Sequence, residues 1–323
     1  MTMQAIIFDR AGEPADVLQH ADAAVPVPDG NQALVKVMAR PIHPADLAFI
    51  RGQYRVRPQF PQAAGLEGAG VVVKSPANAP FPVGTRVAFR YPGSWAEYAA
   101  VPPERLIEVP ADIPDDLACQ LSLNPVTAWA LLDEAKVKAG DWILLTAATS
   151  TVSNLMAAMA KRRGVHVIGV VRGNAAEGSA RSLANHVLSI GEPDLPGAFL
   201  AIAGDRRIAA LLDSVGGPNT AKLFPALAPG ARIMAYGVQD REPAAVTNAM
   251  LIYSNLTWIG FGIDRWLSVS SDDQKASMIQ ELWSMVRDNT LTLPIASKHS
   301  LGQFRDALAA DSRSGRTGRV LLL

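Results

Sequence analysis

The feature that most constrains this chain is an alternation, running over residues 142–261, of short continuous apolar segments with stretches of helical periodicity. Residues 142–145, 165–171, 186–190, 208–212, 231–236 and 256–261 read as strands, and 153–163, 174–184 and 219–227 read as helices between them. Strands that carry apolar side chains on both faces need cover on both faces, which a parallel sheet flanked by helices provides. The segment therefore predicts a doubly wound α/β domain.

The chain before it has a different rhythm. Apolar runs at 5–8, 33–38, 70–73, 86–89 and 95–101 are broken by Pro and Gly, a spacing that predicts an irregular β-barrel with few helices. Residues 117–123 and 127–132 then read as helical. In the tail, Ile279, Leu282, Trp283 and Val286 share one helical stripe, a short helix is expected at 304–310, and 319–323 is strand-like. At 323 residues two domains are expected, and the tail is too short for a third. The expected organisation is 1–118 completed by 264–323, with 119–263 as the parallel-sheet domain.

Lys+Arg and Asp+Glu number 30 each, so no long-range field gathers nucleic acid or anionic membrane. Cys119 is the single cysteine, which forbids an intrachain disulfide and any multi-cysteine metal lobe. No stretch approaches the ~18 apolar residues of a membrane span, and the start MTMQAIIFDR lacks a secretory pattern. A cytoplasmic protein acting on a small molecule is expected, without nucleic-acid or membrane partners.

The segment TAATSTVSN, residues 146–154, lies between a buried strand and an amphipathic helix, where a dinucleotide-binding domain sets the pyrophosphate against free helix N–H groups. The usual G-x-G-x-x-G is absent, since Ala148, Thr149, Thr151 and Ser153 occupy its place. Hydroxyls of Ser150, Thr151 and Ser153, with Val152 between them, either hold phosphate or cap the helix. The next strand ends at Arg172, roughly 20 residues on, where an NAD enzyme has a carboxylate for the ribose; an arginine there favours a 2′-phosphate and hence NADPH. Tyr236 and Gly237 close a later strand at the carboxyl edge, where such sheets bind ligands.

Five stretches, HPADLAFIRGQY (43–54), PQAAGLEGAGVV (61–72), LSLNPVTAWALL (121–132), LLDSVGG (211–217) and PGARIMAYG (229–237), together resemble the medium-chain dehydrogenase/reductase superfamily. The resemblance covers nearly the whole chain and is to the zinc-free branch of quinone oxidoreductases and trans-2-enoyl thioester reductases. It implies a GroES-like catalytic domain beside a Rossmann domain, and a homodimer paired through the strand at 256–261. Zinc-binding relatives have a cysteine where this chain has His43, a histidine where it has Leu66 and a cysteine near Leu123, so no catalytic metal is expected.

Without a Lewis acid, the chemistry left is hydride addition to an activated double bond, with charge developing on a carbonyl oxygen. The resemblance puts Tyr54 in the catalytic cleft as donor to that oxygen. It assigns His43, Asn124, Thr127, Phe261, Gly262 and Arg319 to the cofactor and Trp266 to the substrate pocket. An NADPH-dependent reductase of α,β-unsaturated carbonyls, enoyl thioesters foremost, is thus expected. The alternatives are a quinone reductase and a non-catalytic NADPH-binding structural or regulatory protein.

Overall fold

In the computed structural model, which describes residues 1–204, 208–313 and 315–323, the chain divides into two compact units. One comprises Met1–Leu123 with Thr292–Leu323, the other Asn124–Leu291.

The first unit is built from β1 (Thr2–Phe8), β2 (Gln19–Ala24), β3 (Ala33–Pro41), β4 (Gln62–Ala63), β5 (Glu67–Lys74), β6 (Arg86–Arg90), β7 (Tyr98–Val101) and β8 (Leu106–Glu108). β2, β1 and β4 form a small sheet, while β3, β5, β6 and β8 run antiparallel in a larger one that β7 also joins through β3. The final strand, Arg319–Leu322, pairs with the end of β3, Leu321 opposite Pro41, and so returns the tail to the first unit as the sequence predicts. Its Val320 carbonyl accepts the Ile42 N–H at 2.9 Å, which carries Arg319 close to the chain that follows β3. There His43 leads into the helix Pro44–Ile50, begun by a proline at its first position, where a missing N–H costs nothing.

The second unit holds β9 (Trp142–Thr146), β10 (His166–Val171), β11 (His186–Ser189), β12 (Ile208–Asp213), β13 (Leu227–Ala235) and β14 (Thr257–Gly260). All are parallel, in the order β11-β10-β9-β12-β13-β14, the doubly wound Rossmann arrangement. β9 is buried along its whole length, as its unbroken WILLT run requires. The helix expected at 219–227 splits into Pro218–Ala221 and a 3-10 turn, Phe224–Ala226. Pro225 is the reason, since it has no N–H to continue a helical ladder.

The domain boundaries differ from the expected ones. Residues 119–123 belong to the first unit because Ser122 and the Leu123 N–H bind Glu67, while 264–291 belong to the second. The helix Asp272–Arg287 buries Met278, Leu282, Trp283, Met285 and Val286. It is further tied by Gln274 to Asp133 at 2.8 Å and by the Trp129 indole N–H donating to Glu281. The apolar stripe was legible, but a stripe does not say which core receives it. No helix among the described residues is long and apolar enough to cross a membrane.

Candidate functional site

In the second unit a cleft of about 230 Å³ opens at the carboxyl ends of β9, β10 and β12, where the strand order reverses. This is the ligand-binding position of open α/β sheets. Thr146, Ala147, Thr149 and Ser150 form one wall, Val170, Val171 and Arg172 another, and Asp213, Val215 and Gly216 a third. Gly169 makes the approach of the first two possible, because a Cβ there would collide with that of Ala148. Arg172 is exposed at the end of β10, and no hydrogen bond or ion pair engages its guanidinium among the described residues. A free cation at the strand end, beside the start of the helix Thr151–Arg162, fits a phosphorylated dinucleotide.

The glycine-poor loop is held by its own hydroxyls. Ser150 caps the helix, accepting the Ser153 N–H at 3.2 Å, and remains in the cleft wall. Ser153, in contrast, is fully buried, and its hydroxyl donates to the Thr146 carbonyl at 3.0 Å. Its expected contact with phosphate is corrected accordingly: the hydroxyl satisfies the strand end from within. Thr151 is exposed and Val152 half-buried on the first helical turn, and the cleft wall contains neither.

Neither Tyr236 nor Gly237 lines the cleft. Burial pushes the Tyr236 phenol above its ordinary pKa, and its hydroxyl lies 3.5 Å from Ser153 Oγ. A Cβ at Gly237 would strike the Ser214 carbonyl oxygen, so this glycine serves close packing of the loops after β12 and β13. The Phe261 N–H donates to Ala235 at 2.8 Å, continuing the pairing of β14 with β13, and Gly262 opens the helix Ile263–Val269. Asn124 and Thr127 begin the helix Asn124–Glu134, both half-buried and outside this cleft. Trp266 is buried edge-on against Trp129, 5.8 Å between ring centres. Its assignment to a substrate pocket gives way to core packing of two large apolar rings.

The first unit holds the other candidates. Tyr54 follows the helix Pro44–Ile50, half-buried, with its ring against an apolar cluster that includes Phe49 and Trp95 and with Arg55 5.9 Å from the ring centre. Its hydroxyl has no hydrogen-bond partner among the described residues and is available as a donor.

His43 is 2% exposed and sits between two buried carboxyl groups, its Nδ1 3.4 Å from Asp46 and its Nε2 3.6 Å from Glu67. Neither ring nitrogen makes a hydrogen bond of normal length, and both are sealed from solvent. The expected contact of His43 with the cofactor is therefore corrected, since a side chain this enclosed presents no polar atom to a ligand. Burial, reinforced by Arg319, lowers the imidazole to about 3, while burial raises Glu67 to about 7 and moves Asp46 well above the usual carboxylate range. All three shifts favour neutral forms. Desolvation is the largest influence on each group and keeps the imidazole neutral.

The Leu123 N–H donates to Glu67 Oε1 at 2.6 Å and opposes the Glu67 shift, whereas Ser122 accommodates it. Its hydroxyl has one proton but two acceptors in reach, Glu67 Oε1 at 2.9 Å and the Phe89 carbonyl at 2.8 Å. A protonated Glu67 can donate to Ser122, which is then free to donate to Phe89. Asp46 accepts the backbone N–H groups of His43 and Leu66 at 2.9 and 2.8 Å. Arg319 is largely buried and directs its charge toward Glu67, Asp311 and Asp46. Asp46 and Glu67 escaped the sequence reading, as did Asp213 and Thr146 in the cleft. Asp46 stands three residues after His43 and Asp213 lies in the LLDSVGG stretch, signals of position that carry no role until the fold brings their partners together.

Comparison with known proteins places these features in a family. Residues 29–111 match the alcohol dehydrogenase GroES-like domain and residues 151–282 the family described as zinc-binding dehydrogenase. Among the described residues no group of three or more His, Cys, Asp or Glu is arranged to hold a metal ion. The mitochondrial enoyl-[acyl-carrier-protein] reductase of Bos taurus is 30% identical over 99% of this chain and 88% of its own. The structure of a mycobacterial quinone oxidoreductase is 25% identical, covers 99% of this chain and 99% of its own, and superposes with a TM-score of 0.87. The mitochondrial 2-enoyl thioester reductase heterodimer of Candida tropicalis shares the fold at a TM-score of 0.84 and 20% identity, over 100% of this chain and 99% of its own. The chain belongs to the medium-chain dehydrogenase/reductase superfamily of oxidoreductases, in the branch of enoyl and quinone reductases.

Proposed function

We propose that this protein is a zinc-independent, NADPH-dependent reductase that transfers hydride to the activated carbon–carbon double bond of an α,β-unsaturated carbonyl compound, with enoyl thioesters as the preferred class. The observation that carries the reading is the cleft at the carboxyl ends of β9, β10 and β12 with the free Arg172 at its rim. Likeness to enoyl reductases over 99% of the chain supports the substrate class. Bound NADPH would supply the hydride. Arg172 would pair with the 2′-phosphate, and the wall formed by Thr149 and Ser150 would meet the dinucleotide.

Tyr54 supplies the complementary electrophilic help. Its hydroxyl donates a hydrogen bond to the substrate carbonyl oxygen, which gains negative charge as the β-carbon takes the hydride. A proton drawn from solvent at the α-carbon completes the reduction. A quinone substrate asks the same of the donor, and the 25% identical mycobacterial quinone oxidoreductase structure keeps that second reading in view.

An NADPH-oxidation assay over enoyl thioesters and quinones tests both. Turnover highest with enoyl thioesters is expected; preferential quinone turnover selects the second reading. Tight NADPH binding with no turnover of either class would leave a non-catalytic binding protein.

We further infer a homodimer. Among the described residues β14 ends the parallel sheet with an unpaired edge and leaves Trp258 38% exposed, a surface that edge pairing would cover. Sedimentation at micromolar concentration should give twice the single-chain mass, and a single-chain species would reject the pairing. A lone buried cysteine suits a reducing compartment, and we assign the protein to the cytoplasm.

A further inference from the structure

Asp213 ends β12 and is 1% exposed, yet its carboxylate is the most heavily bonded side chain around the cleft. Oδ1 accepts the Thr146 hydroxyl at 2.7 Å and the Val215 N–H at 3.0 Å, while Oδ2 accepts the Thr220 hydroxyl at 2.7 Å. The Gly216 N–H is shared between the two oxygens at 3.3 and 3.2 Å. Thr146 Oγ1 in turn accepts the Ser214 N–H at 2.9 Å. One carboxylate thus joins the end of β9, the turn after β12 and the helix Pro218–Ala221.

Every one of those attachments lies in the cleft or directly behind it. Thr146, Asp213, Val215, Gly216 and Thr220 all belong to the wall. Ser214 is also held from the far side, where its backbone packs against Gly237 so closely that no side chain fits. The turn is therefore fixed by hydrogen bonds on one side and by contact on the other. Amide donors cannot reverse their polarity, so an acceptor-only group suits the Asp213 position and an amide does not.

We propose that Asp213 is a positioning residue for NADPH, acting through Thr146 and the Val215 and Gly216 amides to hold two walls of the cleft in their binding arrangement before the dinucleotide arrives. The proposal rests on reading the cleft as the NADPH site. It goes beyond that reading by assigning affinity to a side chain that supplies no charge to the phosphate. Preorganisation of this kind lowers the ordering cost of binding and should act on NADPH and NADH alike. A direct 2′-phosphate contact acts on NADPH selectively.

The experiment measures NADPH and NADH dissociation constants by fluorescence, together with the melting temperature without cofactor, for the full chain and for Asp213→Asn, Thr146→Val and Phe199→Leu. Asp213→Asn keeps the shape but turns an NH2 group toward donors. Thr146→Val keeps the shape and removes the bridge, which secures the test should the first variant fold poorly. Phe199 is buried in the core of the same unit and outside the cleft wall, so Phe199→Leu reports what lost stability alone does.

Asp213→Asn and Thr146→Val are expected to weaken both cofactors by the same factor, roughly tenfold for one or two hydrogen bonds lost. The double variant should weaken binding by less than the product of the two, because the residues share one bond. Phe199→Leu should lower the melting temperature with both dissociation constants unchanged. Lower melting temperatures with dissociation constants within twofold of the parent in both cleft variants would overturn the positioning role and leave Asp213 a fold-stabilising residue. Failure of the parent to bind NADPH would overturn the cleft reading itself, and the role of Asp213 with it.

Discussion

Each of the two units buries a carboxylate among polar neighbours, and the two solve the problem in opposite ways. Asp213 is surrounded by four donors, the Thr146 and Thr220 hydroxyls at 2.7 Å and the Val215 and Gly216 amides, whose directions the backbone fixes. Glu67 and Asp46 instead face His43 at 3.6 and 3.4 Å, with two ring nitrogens that make no proper hydrogen bond. Fixed donors make a buried carboxylate rigid. A titratable neighbour leaves the position of the proton as the variable that adjusts, so the His43 cluster should respond to pH where the Asp213 cluster responds to geometry.

Catalysis gives the sharpest separation of the two units. Tyr54 in the first unit is assigned to charge that develops during reaction, so Tyr54→Phe is expected to cut turnover ~10²–10³-fold at saturating NADPH while leaving NADPH affinity in place. Steady-state rates with an enoyl thioester, alongside fluorescence titration, make the comparison. Turnover within a few fold of the parent would remove the donor role.

Arg172 in the second unit should show the reverse pattern. Arg172→Ala is expected to weaken NADPH ~10–100-fold, the loss of a charge-assisted contact, with NADH changed far less. Equal losses for both cofactors would make the arginine a support for the cleft wall, as Asp213 is proposed to be.

Stability against pH comes next. Glu67 is raised to about 7 in the folded protein from an ordinary 4.5. Its contribution is fully present below pH 4.5 and is lost as pH rises through 7. His43 is lowered from 6.5 to about 3, so its contribution is present above pH 6.5 and is lost as pH falls through 3. The two slopes oppose each other between pH 4.5 and 6.5, and near neutrality Glu67 prevails. Glu67→Gln retains an acceptor for the Leu123 N–H but cannot ionise, so it should raise the melting temperature over the parent at pH 8 by several degrees more than at pH 4.5. A difference between variant and parent that does not change with pH would show that Glu67 stays ionised and is held by Arg319.

The contrast also explains what could be read from the sequence. The parallel sheet was legible because residues such as Ile143, Leu144 and Leu145 leave no polar face, and burial on both sides follows from composition alone. Arg172 was legible because its place depends only on the end of one strand. Ser153 was misleading: its hydroxyl type suits either phosphate or backbone, and only the folded loop shows it bonded to Thr146. His43 failed for a different reason, since its enclosure depends on Glu67, Asp46 and a final strand that arrives almost 280 residues later in sequence. Asp213 could be located from its motif, but its partners Thr146 and Thr220 come from separate elements and carry no shared pattern.

The smallest effect concerns the loop that the Asp213 network holds. Ala147, immediately after β9, has φ of 46°, a left-handed conformation that costs a residue with a Cβ about 1–2 kcal/mol. A glycine removes that cost but frees the unfolded chain, which returns about 0.5–1 kcal/mol of the gain. Ala147→Gly should therefore stabilise the protein by about 0.5–1 kcal/mol, a rise in melting temperature of about 1–3 °C. If the hydrogen bonds of Asp213 and Thr146 fix the cleft independently of this strain, NADPH affinity should stay within twofold of the parent. Calorimetry and fluorescence titration on the same sample separate the two quantities. A weakening of NADPH comparable to that expected for Asp213→Asn, with the melting temperature raised, would mean that the strained alanine itself holds the wall. The rigidity now assigned to the saturated carboxylate would then belong to the β9 loop.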